Sequence, residues 1–327
     1  MGTPLDIAVI AAFDAPYIRD DIRLLERKHT VRIQLGNGAT AFLKTVWLAL
    51  RSDVVFCWFA SVYGSAAVLI AGLLGTRSIL VIGGVDVAKD DALGYGLWRS
   101  GWKGKLAGAA LRRAGRVLSV DPSLSDDARR LAAYPGKNIE YLPTGYDPGF
   151  WKPAGGRRPQ ILTVARVDDS ARFRVKGIDL LLASARQIPA AAFILIGVDR
   201  RLFSGTEIPP NVSLYPAMKR EELLPFYQSS SVYCQPSRRE GLANTLCEAM
   251  LCGCYPVASA VGGNITALGD TGTLVPSGDA ASLTAALSEA LQRGDEEGAR
   301  ARARIVALFP AEKRERAILR MLGEDRT

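Results

Sequence analysis

Two successive series of short, almost unbroken apolar runs, each run followed by a longer amphipathic stretch, restrict this chain to a parallel α/β design. The first series comprises Asp6–Ala12, Val31–Leu35, Asp53–Trp58, Ser78–Ile82, Val117–Val120 and Ile139–Leu142. After the turn Thr144-Gly145-Tyr146-Asp147-Pro148-Gly149 the rhythm restarts with Gln160–Ala165, Ala192–Gly197, Val212–Tyr215, Ser231–Cys234 and Tyr255–Ala258. A strand that is apolar on both faces must be covered on both, which is the position of a strand in a parallel sheet sandwiched by helices. The pattern therefore predicts an α/β chain of two Rossmann-like, doubly wound domains, residues 1–146 and 147–327. A length of 327 residues and 48% hydrophobic content suffice for two such cores. In open α/β sheets ligands bind beyond the carboxyl ends of the strands, so two such domains facing each other make a cleft.

One stretch carries chemistry. Pro236-Ser237-Arg238-Arg239-Glu240-Gly241-Leu242-Ala243-Asn244-Thr245-Leu246-Cys247-Glu248 joins the run Ser231–Cys234 to an Ala/Leu/Met segment that reads as a helix. Gly241 lets the backbone approach a ligand, Asn244 is placed to cap the helix, and the N–H groups of a first helical turn bind anions. Glu248 falls one turn inside, on the face of Asn244. A carboxylate beside an anion site suits hydrogen bonding to sugar hydroxyls; the alternative is an acidic loop before a salt-bridged surface helix. Upstream, the run Gln160–Ala165 ends at Arg166, and Lys176 opens a helix ten residues later. These two cations could converge on a diphosphate, or pair at the surface with Asp168, Asp169 or Asp179.

At these residues the sequence resembles the family 4 glycosyltransferases, retaining enzymes of the two-domain GT-B architecture. The likeness runs from about Tyr141 to Gly278 and is weak over residues 1–140. Leu142-Pro143-Thr144-Gly145-Tyr146-Asp147 is similar to the family's domain junction, and the Arg166/Lys176 pair, the Glu240/Glu248 pair and Gly262-Gly263 fall in its order. The resemblance implies a nucleoside-diphosphate-sugar as co-substrate, with no metal or other cofactor. Arg166, Lys176 and Glu240 would serve catalysis, Glu240 by contacting donor-sugar hydroxyls. Glu248 would hold the ribose, the amides of Gly241, Leu242, Ala243, Asn244 and Thr245 would line phosphates and sugar, and Gly262 and Gly263 would shape the cleft floor. The last helix, at about 311–323, would pack back on the first domain.

The first domain departs from the family pattern. Phe13-Asp14-Ala15-Pro16-Tyr17 stands where a Gly-rich loop is common, and Ile82-Gly83-Gly84-Val85-Asp86 where a histidine is common. Gly83 and Gly84 permit close approach of a ligand, and Asp86 is either a donor or acceptor contact or a turn cap. Gly263-Asn264-Ile265-Thr266 ends in Thr where the family pattern commonly ends in Glu.

Other function classes lack their signatures. There is no Asp-x-Asp, Gly-x-Gly-x-x-Gly or Gly-x-x-x-x-Gly-Lys-Ser/Thr sequence. The five cysteines suit a reducing compartment, and Cys252-Gly-Cys254 has the wrong spacing for zinc. His29, the single histidine, reads as a surface or capping residue. The longest apolar run, Ala66–Leu74, is too short for a bilayer, and no leader pattern precedes Asp6, so a cytoplasmic place is expected. The net charge of +8 is spread over both halves, which disfavours nucleic acid as a partner. A local concentration, Lys89–Arg116 with Trp98 and Trp102, suggests peripheral contact with an anionic membrane and a lipid-linked or other glycan acceptor; otherwise both tryptophans are core. Arg293–Arg304 reads as a solvated helix face. The expected activity is sugar transfer. Its rivals are a catalytically silent nucleotide-sugar-binding subunit and a phosphorylase or hydrolase on the same scaffold.

Overall fold

The computed structural model describes residues 3–204 and 207–323. These divide into two compact units, the first running to Thr144 and resuming at Glu312, the second spanning Gly145–Ala311. The first unit contains β1 (Asp6–Ala11), α1 (Pro16–Glu26), β2 (Thr30–Leu35), α2 (Ala39–Ala49), β3 (Val54–Trp58), α3 (Val62–Leu74), β4 (Arg77–Ile82), α4 (Gly101–Arg113), β5 (Arg116–Ser119), α5 (Pro122–Ala132) and β6 (Ile139–Tyr141). The second contains β7 (Arg158–Val167), α6 (Ser170–Val175), α7 (Ile178–Gln187), β8 (Ala192–Val198), β9 (Val212–Tyr215), α8 (Arg220–Ser229), β10 (Ser230–Gln235) and α9 (Asn244–Leu251). It continues through β11 (Tyr255–Ser259), α10 (Gly263–Leu268), β12 (Thr273–Val275), α11 (Ala280–Ala290) and α12 (Asp295–Leu308), and α13 (Ala311–Met321) ends the described chain.

Both sheets are six-stranded, and every pairing is parallel. Their orders are β2-β1-β3-β4-β5-β6 and β12-β11-β10-β7-β8-β9. The second is the dinucleotide-binding order, whose direction reverses between β7 and β10, and a crevice opens at such a reversal beyond the strands' carboxyl ends. Every strand expected from the apolar runs is present. β12, Thr273–Val275, was not expected. Burial on both faces explains the legibility of the rest: all of β3, including Phe56 and Trp58, is buried, as is β1 from Ile7 to Ala11. Each large apolar side chain removed from water contributes about 1.5–3 kcal/mol.

A buried polar cluster ties α13 into the first unit. Arg314 donates to both oxygens of Asp21 at 2.7 Å and to the carbonyls of Leu142 and Pro143 at 3.1 and 2.9 Å. Asp21 also accepts the indole N–H of Trp58 at 2.9 Å, and the guanidinium lies 5.3 Å from that ring.

Several local expectations change. His29 is buried after the end of α1, where its Nδ1 accepts the Leu5 amide at 3.3 Å, so it is not a surface residue. Trp98 turns inward, donates to the Asp86 carbonyl at 2.9 Å and packs over Gly104 and Gly108, leaving Trp102 exposed. The α12 face is not simply solvated. Arg302 donates to the carbonyls of Trp151, Leu251 and Pro148, and Arg304 to those of Ala267 and Thr266, because Gly298 lets the helix lie against the backbone of Gly253. All five cysteines are buried free thiols.

Candidate active site

The reversal between β7 and β10 gathers most of the expected site residues of the second unit. At the end of β7 the register against β8 shifts between Val164 and Val167, a bulge that frees Arg166 from the pleat. Its side chain is 73% exposed and lies 4.0 Å from Asp168, a pairing that water screens. Asp169 caps α6 by accepting the Arg172 amide at 2.7 Å. Lys176 therefore closes α6 and does not open a helix. Gly177, at φ +66°, reverses the chain into α7, and a Cβ there would stand 2.0 Å from the Pro236 carbonyl oxygen.

That close approach docks the α6–α7 junction onto the loop after β10. The Arg238 amide donates to the Val175 carbonyl at 2.7 Å, and its guanidinium grips both oxygens of Asp179 at 2.7 Å. Lys176 and Glu240, 64 residues apart, consequently meet: Nζ lies 2.7 and 3.0 Å from the carboxylate oxygens. Gln235 donates to Glu240 at 3.3 Å and to the Ser237 hydroxyl at 2.8 Å, while its carbonyl accepts the hydroxyls of Tyr233 and Thr245. An ammonium has three N–H donors, so a lysine held this way can serve its carboxylate and an anion together.

Below the loop, α9 begins at Asn244 with Ala243 in the capping position. Asn244 does not cap the helix as expected; its amide oxygen accepts the Tyr146 hydroxyl at 2.7 Å. The first turn of α9, from Asn244, leaves N–H groups such as that of Thr245 without an intrahelical acceptor. Gly262 and Gly263 pack directly on this loop. Their added Cβ atoms would each meet a carbonyl oxygen, of Glu240 and Gly241, at 2.1 Å, and the Gly263 amide donates to Gly241 at 2.6 Å. Glu248 is buried one turn into α9; it accepts the Tyr227 hydroxyl at 3.1 Å and lies 3.7 Å from Arg220. Burial, then the charge of Glu248, holds the Tyr227 phenol well above its ordinary range, so it remains a donor to that carboxylate.

Known proteins share both this segment and this fold. Residues 158–293 match the family described as "Glycosyl transferases group 1". The D-inositol 3-phosphate glycosyltransferase of Mycobacterium sp. (strain JLS) is 28% identical over 192 residues, 54% of this chain and 41% of that protein. The chain thus matches about two fifths of that relative's length. Anabaena Alr3699/HepE, solved in complex with UDP-glucose, superposes with a TM-score of 0.77 at 14% identity, covering 98% of this chain and 99% of that one. Sucrose-phosphate synthase from Thermosynechococcus elongatus gives a TM-score of 0.78 at 17% identity, with 98% of each chain covered. The fold is GT-B.

The departures in the first unit have a structural role. The fully buried carboxylate of Asp86 accepts the amides of Ala60, Gly83 and Gly84 at 3.0, 3.1 and 2.9 Å, clamping the turn after β4 against the end of β3. Burial pushes its carboxyl pKa up, and the three N–H groups oppose that shift. Asp86 is the turn cap, not an exposed ligand contact. Gly83 gives room to the Phe59 ring, which a Cβ would approach to 2.2 Å, and Gly84 adopts φ +137°. Phe13, from the segment replacing the Gly-rich loop, stacks on Phe59 with centroids 5.2 Å apart. Thr266 lies on α10, where its carbonyl accepts from Arg304. Gln235, Arg238, Tyr227 and Arg220 were missed in the sequence; only Arg238, inside the charged motif, carried any local sign of a role. Among the described residues no group of three or more His, Cys, Asp or Glu is placed to hold a metal ion.

Proposed function

We propose that this protein is a retaining, metal-independent glycosyltransferase that moves a hexosyl group from a nucleoside-diphosphate-sugar to a glycan or lipid-linked acceptor. The observation that carries this reading is the Lys176–Glu240 pair set beside the start of α9 at the sheet's reversal. As the glycosidic bond stretches, negative charge develops on the departing diphosphate. Lys176 and the first-turn amides are fixed donors for it, so little reorganisation accompanies the reaction. Arg166, exposed and lightly paired, can swing to the outer phosphate. Glu240, anchored by Lys176 and Gln235, receives donor-sugar hydroxyls, and Glu248, anchored by Tyr227 and Arg220, receives the ribose. Retention follows from same-face displacement, in which a departing phosphate oxygen takes the acceptor proton. That Anabaena Alr3699/HepE was solved with UDP-glucose supports the donor class.

Release of nucleoside diphosphate from a panel of UDP-, GDP- and ADP-sugars tests the proposal. Release is expected with at least one donor, to depend on an acceptor glycan, and to be unchanged by EDTA, with the product's anomeric coupling constant matching the donor's. Release that depends on inorganic phosphate instead would identify a phosphorylase, and no release with any donor a silent binding subunit. Glu240→Gln keeps the side chain's size but weakens its hold on Lys176. Its turnover should fall on the order of 10- to 100-fold, as sugar misplacement does, with a smaller change in nucleoside-diphosphate affinity. Equal loss of both would place Glu240 among the phosphate contacts.

A further inference from the structure

Three neighbouring helices of the first unit present an outer surface unlike the rest of the molecule. α2 packs against α3, and α3 against α4, on one side of the sheet. Their exposed large apolar side chains include Leu43, Trp47 and Leu50 at helical spacing along and just beyond α2, Leu73 and Leu74 at the end of α3, and Trp102 on α4. Leu73 is 84% and Leu43 69% exposed, so these residues are not part of the core. Cations stand between them. Lys44, Lys103, Lys105 and Arg113 are exposed on the same helices, and Arg51 and Arg32 lie over the Trp47 ring at 5.2 and 5.7 Å.

The three helices contain no Asp or Glu at all. Helices elsewhere in the unit do: α1 carries Asp20, Asp21 and Glu26, and α5 carries Asp126 and Asp127, which pair with Arg129 and Arg130. Arg32 pairs with Asp6, but exposed leucines, aromatic rings and an excess of cations are the composition of a surface that enters the headgroup region of an anionic bilayer. Nucleic acid would use the cations and the two tryptophans but gains nothing from four exposed leucines. No described helix is long and apolar enough to cross a membrane.

We infer that the α2–α3–α4 face docks on anionic lipid, with Leu43, Trp47, Leu50, Leu73 and Leu74 inserting and the cations binding headgroups. This extends the contact expected of Trp102 to a three-helix surface centred on α2 and α3. It does not depend on the transferase reading, because the site described above lies in the second unit.

Vesicle sedimentation of the full chain tests the inference, using phosphatidylcholine alone and with phosphatidylglycerol added. Binding is expected to the anionic vesicles at low salt, to weaken at high salt, and to be absent from the neutral vesicles. Lys44→Ala with Arg51→Ala should lower partitioning about fivefold per cation removed. Leu43→Ser with Leu73→Ser should also abolish most binding, and exposure of both side chains leaves the fold intact. Thermal unfolding and nucleoside-diphosphate binding of the variants, unchanged from the parent, confirm intact units. No sedimentation with anionic vesicles at low salt overturns the inference. So does binding that neither double variant reduces, or a Leu43/Leu73-dependent dimer that ignores lipid.

Discussion

Lys176→Ala should lower sugar transfer by about 10²–10³-fold, roughly 3–4 kcal/mol of transition-state stabilisation, the range found when one preorganised donor to a developing anion is removed. Lys176 is partly buried at the junction of α6 and α7, and its partner Glu240 sits on the loop leading to α9. Removing the ammonium takes away a fixed positive charge and leaves the Glu240 carboxylate without its counter-ion. Arg166→Ala should have a smaller effect, since an exposed, weakly paired guanidinium has less fixed position to lose. Steady-state kinetics on the preferred donor check both. A Lys176→Ala enzyme within threefold of the parent rate would remove the pair from the mechanism.

Arg314→Met should destabilise the first unit by about 3–5 kcal/mol, because it strands a buried carboxylate. Asp21 would keep only the Trp58 N–H, and the carbonyls of Leu142 and Pro143 would lose their donor. Replacing both partners, Asp21→Asn with Arg314→Met, should recover part of the loss, since no charge is then left unpaired. Urea unfolding, followed in the transition that the Arg314 substitution shifts, measures the difference. A loss under about 1 kcal/mol for Arg314→Met would mean that water enters to replace the guanidinium.

The two sheets were legible because burial on both faces writes strands as continuous apolar runs, as in Val54–Trp58 and Ile79–Ile82. β12 escaped because it is short and two of its three residues are only partly buried. Lys176, Glu240, Glu248 and Gly262-Gly263 stood out as a set through the resemblance, whose residue types and order they follow. Their partners did not. The alternative partners for Lys176 were Asp168, Asp169 and Asp179, yet Asp169 caps α6 and Asp179 holds Arg238, and Lys176 meets Glu240. Contacts across 64 residues, or the 293 between Asp21 and Arg314, depend on how helices dock and leave no local mark. Asp86 stayed open between two readings for a related reason: a turn carboxylate and a ligand carboxylate look alike until burial separates them. Asn244 gave up the capping position to Ala243 because the Tyr146 hydroxyl engages its amide oxygen.

Calorimetric titration of UDP, GDP and ADP into the parent chain, into Lys176→Ala and into Asp86→Asn tests the central claim most directly. One of the three nucleotides should bind the parent at one site per chain. Its affinity should fall about 100-fold or more in Lys176→Ala and stay within threefold of the parent in Asp86→Asn, whose carboxyl group holds a turn in the other unit. Absence of binding by all three, or binding that Lys176→Ala leaves unchanged, would contradict a diphosphate site at the start of α9.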